Sequence, residues 1–206
     1  MFDDYCPKQE KINVITHFPG VLLGLIGLIY LLLKPMGSLT KFSYFIYGIS
    51  LITIFAASSI YHKLEPGKAK AVFKKIDHAA IYFFMGGCYT PFIIINMHND
   101  YKITFLFIIW AIVLLGVLQK SFSFIKNKFF SVFLYISFGF LCFAVKDSML
   151  DQIPSASFNL LVLGGVAYML GVIFYLMDRI PYNHGIWHIF VLLGAGSHYA
   201  AVYTTY

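Results

Sequence analysis

The sequence predicts an all-α protein, a bundle of seven transmembrane helices with the N-terminus cytoplasmic and the C-terminus extracytoplasmic. Three observations predict it. The 206 residues are 60% hydrophobic and 12% charged, where a soluble domain carries roughly 25% charged residues. The mean hydropathy of +0.78 places the chain in the membrane class. Seven apolar runs approach or reach the roughly 20 helical residues that cross a hydrocarbon core of ~30 Å, and Lys and Arg are shared unequally between the segments that join them.

The first run covers about 15–33 and stops at Lys34 and Pro35. The second, about 42–62, ends on His62. The third, about 77–97, begins at Asp77 and contains Pro91, which lacks a backbone donor and predicts a kink. The fourth (about 103–119) and fifth (about 129–145) are the shortest, but both are strongly apolar. The sixth covers about 158–177 and the seventh about 185–204. No linker, low-complexity tract or internal repeat divides the chain, so residues 1–206 read as one integral membrane domain. The polar, acidic start MFDDYCPKQEK does not have the pattern of a cleavable signal peptide. Cys88 and Cys142 fall inside apolar runs and Cys6 near the terminus, which is neither a disulfide framework nor a zinc ribbon.

The direction of insertion follows from the basic residues. Lys8, Lys11, Lys63, Lys68, Lys70, Lys74, Lys75, Lys120, Lys126, Lys128 and Arg179 fall on one side of a seven-span chain. Lys34, Lys41, Lys102 and Lys146 fall on the other. Eleven against four puts the first side in the cytoplasm. The net charge of +6 resides in these short segments, where it acts as a topology signal and not as a nucleic-acid surface. The expected location is the cell membrane, the expected partners are membrane lipids, and nothing in the sequence points to a protein partner or fixes an oligomeric state.

Seven spans turn scattered polar residues into neighbours. His17 starts the first span, His62 ends the second, Asp77 begins the third, and His184 and His188 begin the seventh, all at the cytoplasmic end. Ionisable residues inside a membrane are rare and generally face the bundle interior, paired or functional. His184 and His188 are four residues apart, on one helix face, a spacing that can chelate a metal. With His62 they make three nitrogen ligands, and three protein ligands plus a water is the pattern of a catalytic zinc site. Asp77 is then either a fourth ligand or the group that holds the water and acts as general base. Ser58, one turn before His62, can bond that water or a developing oxyanion. Each residue also has a plainer reading. Histidines at an interface can bond backbone carbonyls, Asp77 can be a helix N-terminal residue favoured by the macrodipole, and Ser58 can bond the carbonyl one turn back.

Glu10, Asn13 and His17 share a face if the first helix starts early, and can then orient the ligand imidazoles. A capped amphipathic approach helix explains them equally well. His78 points about 100° away from Asp77 and reads as an interface residue. His98 falls in a short loop on the opposite side and reads as solvated. His198 lies fourteen residues beyond His184, about 21 Å along the helix. It is too far to share an ion and reads as a satisfied core histidine.

The string SSIYHKLEPGKAKAVFKKIDHAAIYFFMGGCYTPF resembles the hemolysin III proteins, the bacterial branch of the progestin and adiponectin receptor (PAQR) family. The family's three motifs are matched at Glu10, Asn13 and His17, at Ser58, His62 and Asp77, and at His184 and His188. The resemblance covers essentially the whole chain. It implies a seven-helix bundle with the N-terminus inside and a zinc ion, Zn2+, held by His62, His184 and His188, with Asp77 on the bound water and Ser58 close by. Similar receptors and the related alkaline ceramidases are linked to hydrolysis of a lipid amide. Three functions follow as expectations. The first is a zinc-dependent hydrolase of a lipid amide or ester at the cytoplasmic leaflet, serving membrane homeostasis. The second is a membrane-state sensor or regulator with structural zinc, and the third a pore-forming cytolysin.

Overall fold

A computed structural model describes residues 6–98, 100–122 and 127–206. Seven stretches are long and apolar enough to cross a membrane. Six are single helices: α1 Pro7–Leu33, α2 Ser38–Lys63, α3 Lys68–Asn96, α4 Lys102–Phe122, α6 Ser155–Leu176 and α7 Asn183–Thr204. The fifth span, Lys128–Gln152, opens with α5, Lys128–Gly139. No strand occurs among the described residues. Lys126, counted above among the topology signals, lies outside them.

Two helices begin well before their apolar runs. Pro7 occupies the start of α1, where its missing N–H costs nothing, and Glu10 sits in the first turn. The early start puts Glu10, Asn13 and His17 on one helix. α3 begins at Lys68, so Asp77 lies roughly two and a half turns inside it. The macrodipole account of Asp77 therefore fails, because that effect fades within the first turn. Hydropathy marks the stretch that meets lipid. These helices continue beyond it because their polar ends dock on one another.

The fifth span departs from the expected regular helix. α5 stops at Gly139, and Phe140–Val145 and Leu150–Gln152 are 3₁₀ turns around a single α turn, Lys146–Met149. A side chain from α3 accounts for the break. The Tyr89 hydroxyl donates to Phe138 O at 2.8 Å and Gly139 O at 3.0 Å, and accepts from the Cys142 N–H at 3.0 Å. Phe138 O and Cys142 N–H would bond each other in an α-helix, so the hydroxyl is inserted into the ladder. α3 itself runs unbroken through Pro91.

Neighbouring helices pack in the order α1–α2, α2–α3 and α3–α4, while α6 packs on α7 and α7 returns to α1. Large apolar side chains such as Leu23, Ile29, Phe107, Leu115 and Leu163 point outward, as expected where the solvent is hydrocarbon. Small residues line the helix contacts instead. A Cβ on Gly27 would lie 2.7 Å from the Tyr199 ring, whose hydroxyl bonds Gly27 O at 3.0 Å. A Cβ on Gly87 would meet Ser50, its Cβ at 2.7 Å. Gly87→Ala should therefore destabilise the folded protein by about 1–3 kcal/mol. Gly165→Ala, with nothing within 4 Å, should not. Thermal unfolding of both variants in detergent checks this, and equal melting temperatures would refute the α2–α3 contact.

Candidate metal centre

The helix ends position three histidines. His62 lies in the last turn of α2, and His184 and His188 in the first two turns of α7. One ligand atom from each of these three lies within 4.8 Å of the others. His62 and His188 are 4% and 2% exposed, and His184 is the partly exposed member of the three. Tyr182, at φ 59°, adopts the left-handed conformation immediately before α7 and turns the chain so that His184 faces the group.

The other ring nitrogens are held. His62 Nδ1 lies 2.7 Å from Glu10 Oε2. The Asn13 amide nitrogen lies farther from the same atom, at 3.3 Å, and a carboxylate only accepts, so the shorter contact assigns the hydrogen to Nδ1 and leaves the Nε2 lone pair free. His62 Nε2 is buried and has no hydrogen-bond partner among the described residues. His188 Nδ1 donates to Asn13 O at 3.1 Å, with Thr16 Oγ1 at 3.2 Å. A histidine anchored at one nitrogen by a carboxylate or a carbonyl, with the other aimed inward, is how metal-binding imidazoles are oriented. Three imidazole nitrogens fit a divalent first-row metal ion such as zinc, copper, iron or nickel.

The sequence candidates gather here, two of them with contacts that their spacing did not indicate. Glu10 and Asn13 reach His62 and His188 directly, as an early start to α1 implies. The Ser58 hydroxyl bonds His17 Nδ1 at 2.8 Å, one helix away from where its spacing with His62 points it. It also lies near the Asp77 carboxylate. His17 stacks on His188 with ring centroids 3.5 Å apart, so it is closer to the group than an outer partner. Asp77 is not in the three-histidine group, and its oxygen lies 3.7 Å from His78 Nδ1.

Lys70 and Thr16 were not singled out by sequence reasoning. Lys70 is fully buried, with Nζ 3.2 Å from Glu10 Oε2. Its sequence signal is that of any loop lysine. His198 Nε2 bonds Leu161 O at 3.2 Å and its ring meets Tyr168 edge-on, which makes it a tie between α6 and α7. His98 is exposed.

Residues 5–199 match the family described as Haemolysin-III related. The chain belongs to this family. It is similar to the Hemolysin-3 homolog of Bacillus subtilis (strain 168), with 35% identity over 95% of this chain and 93% of that protein. It is 34% identical to Hemolysin-3 of Bacillus cereus, over 91% and 87% of the two chains. The human Monocyte to macrophage differentiation factor, a protein of PAQR type, is 28% identical over 95% of this chain and 83% of its own. This member of the haemolysin-III family is thus a multi-pass integral membrane protein with a three-histidine group that can hold a metal.

Proposed function

We propose that this haemolysin-III protein is a zinc-dependent hydrolase of a lipid amide or ester, working at the cytoplasmic leaflet of the cell membrane. The observation that carries the reading is the unpartnered, buried Nε2 of His62 beside His184 and His188, with a carboxylate close by that is not among them. A zinc ion held by the three histidines would supply Lewis-acid chemistry, polarising a carbonyl and lowering the pKa of water toward ~7.

The chain's own residues do the rest. Glu10 and the Asn13 carbonyl hold two imidazoles by their Nδ1 atoms. An Asp77 carboxylate oxygen takes the proton from the attacking water and returns it to the leaving nitrogen or oxygen. Ser58, bonded to His17, sits beside that carboxylate and fixes its orientation. The hydroxyl of water ends on the carbonyl carbon and its proton on the leaving group, so an amide yields a fatty acid and an amine. His184, partly exposed, marks the side from which a lipid headgroup reaches the group.

The name of the Bacillus cereus relative, Hemolysin-3, suggests a cytolysin. A pore needs polar groups at successive depths. The histidines of α1, α2 and the start of α7 gather at one end, and His198, the one further along α7, is bonded to Leu161 O. This favours chemistry over conduction. The deciding experiment supplies vesicles containing ceramide-like amides and ester phospholipids to purified protein. Fatty acid should be released, and a zinc chelator should stop it. Dye release from the vesicles without any fatty acid would overturn the reading in favour of a pore.

A further inference from the structure

We propose that Lys70 is a positioning residue of the metal centre: through Glu10 it locks the His62 ring so that Nε2 is the atom offered to the ion. The proposal rests on the metal-binding reading above.

Lys70 lies in the first turn of α3 and is 1% exposed. Lysines are almost never so buried unless paired. Its ammonium donates to Tyr61 O and Leu64 O, each at 3.0 Å, and lies 3.2 Å from Glu10 Oε2. The two carbonyls belong to the C-terminal end of α2, where the backbone carries partial negative charge. The Tyr61 ring lies 4.7 Å beneath the charge. Two carbonyls and a carboxylate are acceptors of the kind a buried ammonium requires.

The same Glu10 oxygen accepts from His62 Nδ1 at 2.7 Å. One carboxylate oxygen thus joins the start of α1, the end of α2 and the start of α3. Removing the ammonium leaves the Glu10 carboxylate facing the Tyr61 and Leu64 carbonyls without a cation between them. The carboxylate is 16% exposed and would turn toward water, which leaves His62 Nδ1 with only the longer Asn13 amide contact at 3.3 Å and loosens the ring. A clamp that only joins α2 to α3 would alter melting and leave metal affinity alone.

The experiment measures Zn2+ affinity by chelator competition on the full chain in detergent, at a temperature where circular dichroism shows the protein folded. Lys70→Met should weaken binding roughly 10–100-fold, the usual effect of losing a group that orients a ligand. Glu10→Gln should weaken it as well, and Lys70→Met in that background should add nothing, because the two act through one oxygen. Unchanged affinity in folded Lys70→Met, or equal losses in both backgrounds, would overturn the proposal. If Lys70→Met alone does not fold, Glu10→Gln and the double variant decide: equal affinities support it, and a further loss in the double overturns it. Wild-type protein that binds no zinc would instead remove the metal reading itself, and this proposal with it.

Discussion

Replacing His188 by alanine should strip zinc from the purified protein, which should otherwise carry close to one ion per chain. His188 is 2% exposed, its Nδ1 is committed to Asn13 O at 3.1 Å, and it shares the group with His62 and His184. The loss should exceed the roughly 10–100-fold that follows from removing a group behind a ligand. His62→Ala should act in the same way. His198→Ala should leave zinc in place, because its ring bonds Leu161 O far along α7. Zinc that binds the native state also stabilises it, so chelation should lower the melting temperature of wild type and not of His188→Ala. Elemental analysis and thermal unfolding read both effects. Full zinc occupancy in His188→Ala would sink the three-histidine site.

Asp77→Asn should keep the zinc and lose turnover by about 10²–10⁴-fold, the range of general base catalysis. The amide preserves the shape beside Ser58 but does not take a proton at neutral pH. Asp77 stands outside the histidine group, and zinc content should therefore not change. The two readouts separate the roles. Loss of zinc along with activity would make Asp77 a ligand and favour a structural metal. Intact turnover would refute the base assignment. Ser58→Ala should have a smaller effect, because Ser58 reaches the reacting atoms only through Asp77 and His17.

Much of the site was legible because helix geometry is local. His184 and His188 share a face by their four-residue spacing alone, and counting spans brings His62 level with them. The role of Glu10 and Asn13 depended on where α1 begins, about two turns before the apolar run that hydropathy marks. α3 likewise begins before its apolar run, and this puts Asp77 inside the helix and not at its start. The break in the fifth span had no local signal, since its cause is the hydroxyl of Tyr89 on another helix.

The sequence by itself determined the number of spans, the membrane as solvent and the residues that can bind a metal. Those follow from composition and from a period of 3.6, which one helix carries without its neighbours. Only the tertiary structure decided which nitrogen each histidine turns inward, that Ser58 bonds His17, and that Lys70 is buried against Glu10. These depend on the rotation of one helix against another. Side-chain packing between helices sets that rotation, and no spacing within a single helix records it.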